Sequence, residues 1–319
     1  AVNSALFKLK YGDMYMEKKQ YLNIDKPIGS WMWDAAYYVA EPAGLLEFCS
    51  KNGITELYIS VNNNVTDMRY ADLLRWCTSA GIRVSALTGE PNWIYPDRRQ
   101  GYYSFLERVA AIQRTCKGAA RFSALHMDAN PHSLPEAKAN GMESLAGQFV
   151  SFVRTVRSDA ERMGLPLEWD LPSWYHAVWD ERGNCTLAES VMRICQCVNI
   201  LCFRDTAKDQ LEALRPNLNI AKKLNIPFRI ASETLTADEE RRPNNNSRVT
   251  YYEEGYLYMY DAISIINQTV EGECDDYGFA IHDIKRWMTL QPDPLPQYKE
   301  GCEEMDMDQY LLFLKAIGH

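Results

Sequence analysis

Short apolar runs alternate with longer stretches of helical spacing along most of the chain. Ile28 to Asp34, Ile54 to Val61, Ile82 to Leu87, Phe122 to Asp128, Leu167 to Leu171, Val198 to Phe203, Pro227 to Ser232 and Tyr277 to Ile281 are the short runs. Between them, 42–49, 66–80, 102–116, 142–163, 187–195, 208–224 and 252–270 place apolar residues at helical intervals. Gly53, Gly81 and Gly164 follow three of these helices, as helix ends commonly require. A parallel strand is buried on both faces and reads as a near-continuous apolar run; Ile54–Val61 and Val198–Phe203 do. Strands that alternate with helices predict parallel βαβ units. Eight such units fit a (β/α)8 TIM barrel, which typically takes roughly 250 residues. An open doubly wound sheet would carry a Gly-rich phosphate turn after its first strand, and Trp31-Met32-Trp33-Asp34 has none. The pattern therefore predicts an α/β chain with a single barrel domain. Residues 1–27, polar and irregular up to Pro27, form a lead-in segment. The barrel covers 28–319, with 238–250 as a long loop over its mouth and 306–317 as a closing helix.

Several of the predicted strands run out into polar residues. The fourth does so most clearly: Phe122-Ser-Ala-Leu-His-Met-Asp-Ala-Asn-Pro-His132 begins apolar and ends as a polar cluster. Ala124, His126 and Asp128 share one face because strand side chains alternate, and Pro131 stops the ladder. In a barrel the C-terminal strand ends converge on the active site. Convergence would gather Trp33, Asp34, Asn62, Glu90, Trp93, His126, Asn130, Asp170, Trp174, Tyr175 and Arg204 as ligand-binding residues around Asp128, Glu233 and His282. Taken singly, each has a plainer reading: Asp34 as a cap, Trp93 or Trp174 as core, Arg204 and Asp205 as a structural ion pair. Their joint occurrence at strand ends is what points to a site.

Two opposed carboxyl groups are the minimum equipment for glycoside hydrolysis. Asp128 follows the fourth strand. Glu233 ends the seventh, on the face it shares with Arg229 and Ala231. Asp128 is the expected acid and Glu233 the nucleophile or base. His282 supports the pair, Arg204 holds the nucleophile ionised, and Trp93, Trp174 and Tyr175 form a sugar platform.

Composition narrows the partners. The net charge of -9 argues against a nucleic-acid phosphate partner, and no apolar stretch is long enough to span a bilayer. Eight Trp and 19 Tyr suit a sugar ligand, though aromatic residues also fill cores. The nine Cys fall mostly in apolar patterns, and Cys195-x-Cys197 lacks zinc spacing. A carbohydrate or other small polar ligand is expected, with no cofactor. A rival reading uses His126, Asp128, His132, Asp170, Glu233 and His282 as donors to a divalent ion.

The motifs also carry a resemblance. Trp-Met-Trp-Asp at 31–34, His-Met-Asp-Ala-Asn-Pro-His at 126–132, Trp-Asp-Leu-Pro-Ser-Trp-Tyr at 169–175, Phe-Arg-Asp-Thr at 203–206, Ser-Glu-Thr at 232–234 and Ala-Ile-His-Asp at 280–283 occur in that order. The succession resembles a little-characterised group of bacterial, often exported, glycoside-hydrolase-like TIM-barrel proteins, over about residues 28–290. More distantly it is similar to retaining glycosidases with carboxylates after strands four and seven. The resemblance implies a hydrolase acting on glycosidic bonds, secreted or in the cell envelope, with Glu233 at the seventh-strand position. The fourth strand departs from it: the resemblance puts a Glu immediately before the Pro, and this chain has Asn130. That departure keeps a non-catalytic carbohydrate-binding barrel as a further alternative.

Overall fold

In the computed structural model, eight parallel strands close on themselves in sequence order. They are β1 Ile28–Met32, β2 Glu56–Ser60, β3 Arg83–Thr88, β4 Ala124–Met127, β5 Leu167–Pro172, β6 Cys197–Leu201, β7 Phe228–Glu233 and β8 Tyr277–His282. Closure runs through β8 onto β1, from Ile28 opposite Phe279 to Ser30 opposite Ile281. The structure describes residues 21–22, 24–180, 183–236 and 247–294. Most of the lead-in, most of the 238–250 loop and the expected closing helix at 306–317 lie outside the described residues. The (β/α)8 barrel is as the alternation predicts.

Ten α-helices are described: α1 Ala35–Ala40, α2 Pro42–Lys51, α3 Asp67–Ser79, α4 Gln100–Thr115, α5 Pro135–Asn140, α6 Ala146–Arg162, α7 Leu187–Met192, α8 Ala207–Leu224, α9 Tyr256–Glu271 and α10 Ile284–Thr289. The longest show why the chain folds as it does. In α6, Phe149, Phe152, Val153, Val156 and Ala160 are buried at helical spacing. Thr66, Thr186 and Thr206 open α3, α7 and α8, each accepting the backbone N–H three residues on. Short α1, α5 and α10 escape the sequence pattern because six residues give too few turns for a periodicity. Helix α9 starts at Tyr256 rather than 252, because Gly255 at φ 84° breaks the run before it. No helix among the described residues is long and apolar enough to cross a membrane.

Two apolar layers result from strand alternation. Outward residues such as Leu57, Leu125, Ile200 and Ile230 pack against the helices in one large cluster. Inward residues Trp31, Tyr58, Leu87, Ala231 and Ala280 form a second, with Trp33, Leu201 and Phe203 against it. Below this inner cluster the barrel floor is charged. Arg229 grips Glu56 through Nε and Nη2 at 2.9 and 2.6 Å, while Arg83 reaches Glu56 at 3.0 Å and Glu168 at 2.5 Å. Gly278 gives Arg229 its room: a Cβ there would overlap the Pro27 carbonyl oxygen and meet Arg229 Cδ at 2.8 Å.

Gly278→Ala is therefore expected to destabilise the protein by about 1–3 kcal/mol, the usual range for overpacking. Gly44→Ala is the control. A Cβ on that helical glycine would meet no atom within 4 Å, and the change should leave the protein at least as stable. Thermal melts of both variants check the pair.

Candidate active site

Glu233 ends β7 and is 0% exposed. Its Oε1 accepts the backbone N–H groups of Thr234 at 2.8 Å and Leu235 at 2.9 Å. His282 ends β8 directly opposite, with Nδ1 3.0 Å from both carboxylate oxygens. Trp33 Nε1 lies 2.9 Å from His282 Nε2. An indole N–H can only donate, so Nε2 is the acceptor and the ring proton sits on Nδ1, aimed at Glu233. Three N–H donors thus converge on this carboxylate.

Asp128 follows β4 and is partly open at the mouth. Its backbone N–H bonds Thr88 O at 2.9 Å, and Gly89 lets the chain pass this close, because a Cβ there would overlap the Asp128 carbonyl. Asn130 Nδ2 donates to Asp128 Oδ1 at 2.5 Å. Burial and the neighbouring charge of Asp170 push the Asp128 carboxyl up to about 7, against the opposing pull of His282, His126 and Asn130. Asn130 Oδ1 is buried without a hydrogen-bond partner.

Beneath the mouth lies a polar layer. His126 Nδ1 faces Glu168 Oε2 at 3.0 Å and Nε2 faces Asp170 Oδ1 at 2.8 Å. Its ring stacks on Tyr58 at 4.1 Å. Burial opposes charge on this ring, but Asp170 and Glu168 outweigh it and raise His126 to about 10. Glu168, despite its burial, is lowered to about 2 by His126 and Arg83. Asp170 also accepts Trp31 Nε1 at 2.7 Å and Asn199 Nδ2 at 3.0 Å.

The expected site residues divide accordingly. Asp128 and Asn130 form one pair after β4, and Glu233, His282 and Trp33 form a second group at the ends of β7, β8 and β1. His126 and Asp170 are fully occupied with protein partners below it. Asp34 caps α1 through the Tyr37 N–H, Asn62 is pinned to the Tyr70 hydroxyl, and Glu90 is exposed ahead of a 3-10 turn. Arg204 donates to Phe203 O at 2.6 Å and offsets the charge of Asp205. The aromatic platform needs correction. Trp174 is 43% exposed, but Trp93 is 6% exposed and Tyr175 0%. Trp93 is walled in by Tyr102 and Gly101, and Tyr175 by Phe149, with its hydroxyl 3.0 Å from His132 Nδ1. Neither ring has a face to offer a sugar.

Trp31, Tyr58, Glu168 and Asn199 join the site without having been expected from the strand ends. The signal is present: Glu168-x-Asp170 repeats the two-residue step of His126-x-Asp128, and His126 pairs with Glu168 across the ladder. Both ring nitrogens of His126 face carboxylates, which leaves no lone pair for an ion. Among the described residues no group of three His, Cys, Asp or Glu side chains is arranged to hold a metal.

The titrations predict how stability changes with pH. The native state keeps a proton on Asp128 that the unfolded chain releases near its ordinary value of 3.8, so stability falls as pH rises from there to about 7. His126 adds stability that is complete below 6.5 and fades as pH rises through about 10. Asp128→Asn should therefore gain melting temperature relative to the native protein between pH 4 and pH 8. The native protein should keep losing it up to pH 10. Melting curves at half-unit pH steps give both slopes.

No family model and no curated protein matches this sequence. Solved structures do match in shape. A GH18 chitinase from Pseudoalteromonas aurantia aligns with a TM-score of 0.50 at 10% identity, over 82% of this chain and 97% of that one. A chitinase from Bacteroides thetaiotaomicron aligns at 0.47 and 8%, over 82% and 90%. The catalytic domain 2 of Ostrinia furnacalis Group II chitinase aligns at 0.37 and 12%, over 66% of this chain and 64% of that domain, so the chain spans under two thirds of its length. At identities this low the likeness is one of fold: this chain shares the TIM-barrel architecture of these structures.

Proposed function

We propose that this protein is a carbohydrate-active enzyme that hydrolyses glycosidic bonds, with Asp128 as acid and Glu233 as nucleophile or base. The observation that carries the reading is the contrast between the two carboxyls. Asp128 is driven towards its protonated form near neutral pH, while three N–H donors complement Glu233 as an anion. Carboxyl groups whose surroundings push them apart in this way divide into an acid and a base. Asp128 gives its proton to the glycosidic oxygen as the C–O bond breaks, and the leaving sugar departs as an alcohol. The anomeric carbon is then captured by the Glu233 carboxylate and later by water, or directly by a water that Glu233 deprotonates. His282, oriented by Trp33, steadies Glu233 throughout. Asn130 Oδ1 is suited to accept from a sugar hydroxyl, and the open face of Trp174 to stack on a ring. Kinship with the exported bacterial group, and an extracellular or cell-envelope location, belong to the same reading.

Two observations favour a second reading, a carbohydrate-binding barrel without turnover. Glu233 is wholly buried, with Oε1 already bonded to two backbone amides. Asn130 stands where the resembling group has Glu.

A panel of aryl glycosides and natural oligosaccharides separates the readings. On any substrate the native protein cleaves, Glu233→Gln should lose at least about 100-fold in kcat/KM. Asp128→Asn should lose much less on nitrophenyl glycosides than on oligosaccharides, since a good leaving group needs little protonation. Full activity in Glu233→Gln overturns the assignment. Glycan binding with no cleavage by the native protein moves the conclusion to the binding barrel. Trp174→Ala should weaken binding by about tenfold under either reading, as measured by calorimetry.

A further inference from the structure

Six charges alternate in sign up the inside of the barrel. Arg229 at the floor holds Glu56 at 2.6 Å, and Glu56 holds Arg83 at 3.0 Å. Arg83 holds Glu168 at 2.5 Å, Glu168 faces His126 at 3.0 Å, and His126 faces Asp170 at 2.8 Å. All but Arg83, at the lower rim, are buried. The column is neutral only when His126 is an imidazolium. Both ring nitrogens lie closest to carboxylate oxygens, with Asn199 Nδ2 farther from Nε2 at 3.4 Å, and this arrangement favours the same state. Each ring nitrogen points at a carboxylate oxygen, and a neutral ring has one N–H to donate, not two.

The top of the column is Asp170, whose charge acts on the Asp128 carboxyl after β4. Two neighbouring carboxyls that repel one another share a proton, and their surroundings decide which keeps it. Around Asp170 the surroundings are donors: His126 and Asn199 on Oδ1, Trp31 on Oδ2. Asp128 is faced by Asp170 from β5, by His282 from β8, by His126 from its own strand, by Asn130, and by the buried Tyr175 from the turn after β5. Asp170 is the negative one among these, and after burial its effect is the largest, greater than that of either histidine.

We propose that His126 and Asp170 are positioning residues: the doubly clamped imidazolium pins the negative charge of the carboxyl pair on Asp170 and leaves the proton on Asp128, at the mouth. The proposal rests on the reading of Asp128 as the acid and gives a reason for its protonation. Neither residue touches substrate. Both act through Asp128, and the charges below them set the state of His126.

Carboxyl 13C and imidazole 15N shifts of the labelled full-length protein, followed over pH and without any glycan, test it. The native Asp128 carboxyl should titrate near 7, and His126 should show two protonated nitrogens at pH 7 and above. In Asp170→Asn the Asp128 midpoint should fall by at least about one pH unit. Glu168→Gln, which leaves Asp170 in place, should lower the pH at which His126 loses its proton. A merely structural role for these residues would change melting temperature without moving either titration. The proposal is overturned by a native Asp128 that titrates near 4, by a His126 with one N–H at pH 7, or by a folded Asp170→Asn protein whose Asp128 midpoint matches the native one. Should a substitution prevent folding, the two native titrations decide. Failure of every glycan assay would count against the hydrolase reading and leave these titrations untouched. Turnover by a protein whose Asp128 titrates near 4 would keep that reading and remove the positioning roles.

Discussion

A closed ring of eight parallel strands has to fill its own axis, and this chain fills much of it with charge. Buried charges are tolerable only in pairs with good geometry, and breaking one such pair by removing a partner costs about 3–5 kcal/mol. The rest of the interior follows from that constraint. Glycine stands at 278 where Arg229 must cross. Tyr58 stacks flat on His126, and the Trp31 ring meets His126 edge-on at 6.2 Å. From the floor up to Asp170, the charged side chains are then joined pair by pair through hydrogen bonds and ion pairs.

The fold was legible because its signal is periodic. Strand and helix runs alternate over hundreds of residues, and errors at single boundaries do not alter the count. What escaped was short or punctuated: six-residue α1, α5 and α10, and the true start of α9 behind Gly255. Trp287 illustrates the loss. It lies in α10, is almost fully buried, and donates to the Tyr260 hydroxyl at 2.9 Å, yet nothing around it in sequence repeats.

The site was legible in one dimension only. Position at a strand end identified Asp128, Asn130, Glu233 and His282 as neighbours of the mouth, but it carries no depth. His126 and Asp170 lie one alternation below, and a sequence does not say how far up the axis a side chain reaches. Aromatic residues misled for a different reason. Trp93, Trp174 and Tyr175 have the same composition signal, and only packing against Tyr102, Gly101 and Phe149 separates a wall from an open face. The burial of Glu56, Glu168 and Arg229 is not legible in the sequence, because charge at the start of a strand usually means solvent.

Asn130 has one more property that follows from its amide. As it stands, Nδ2 donates to Asp128 Oδ1, which leaves Oδ2 to carry the carboxyl's proton. Rotated by half a turn, the same group presents its oxygen and accepts from the carboxylic acid. A side chain with a donor and an acceptor at equal reach can therefore stay bonded to its neighbour on both sides of a proton transfer, at the cost of one torsion. A glutamate in that position would meet an ionised Asp128 with a second negative charge. The asparagine amide can instead match either protonation state of its neighbour.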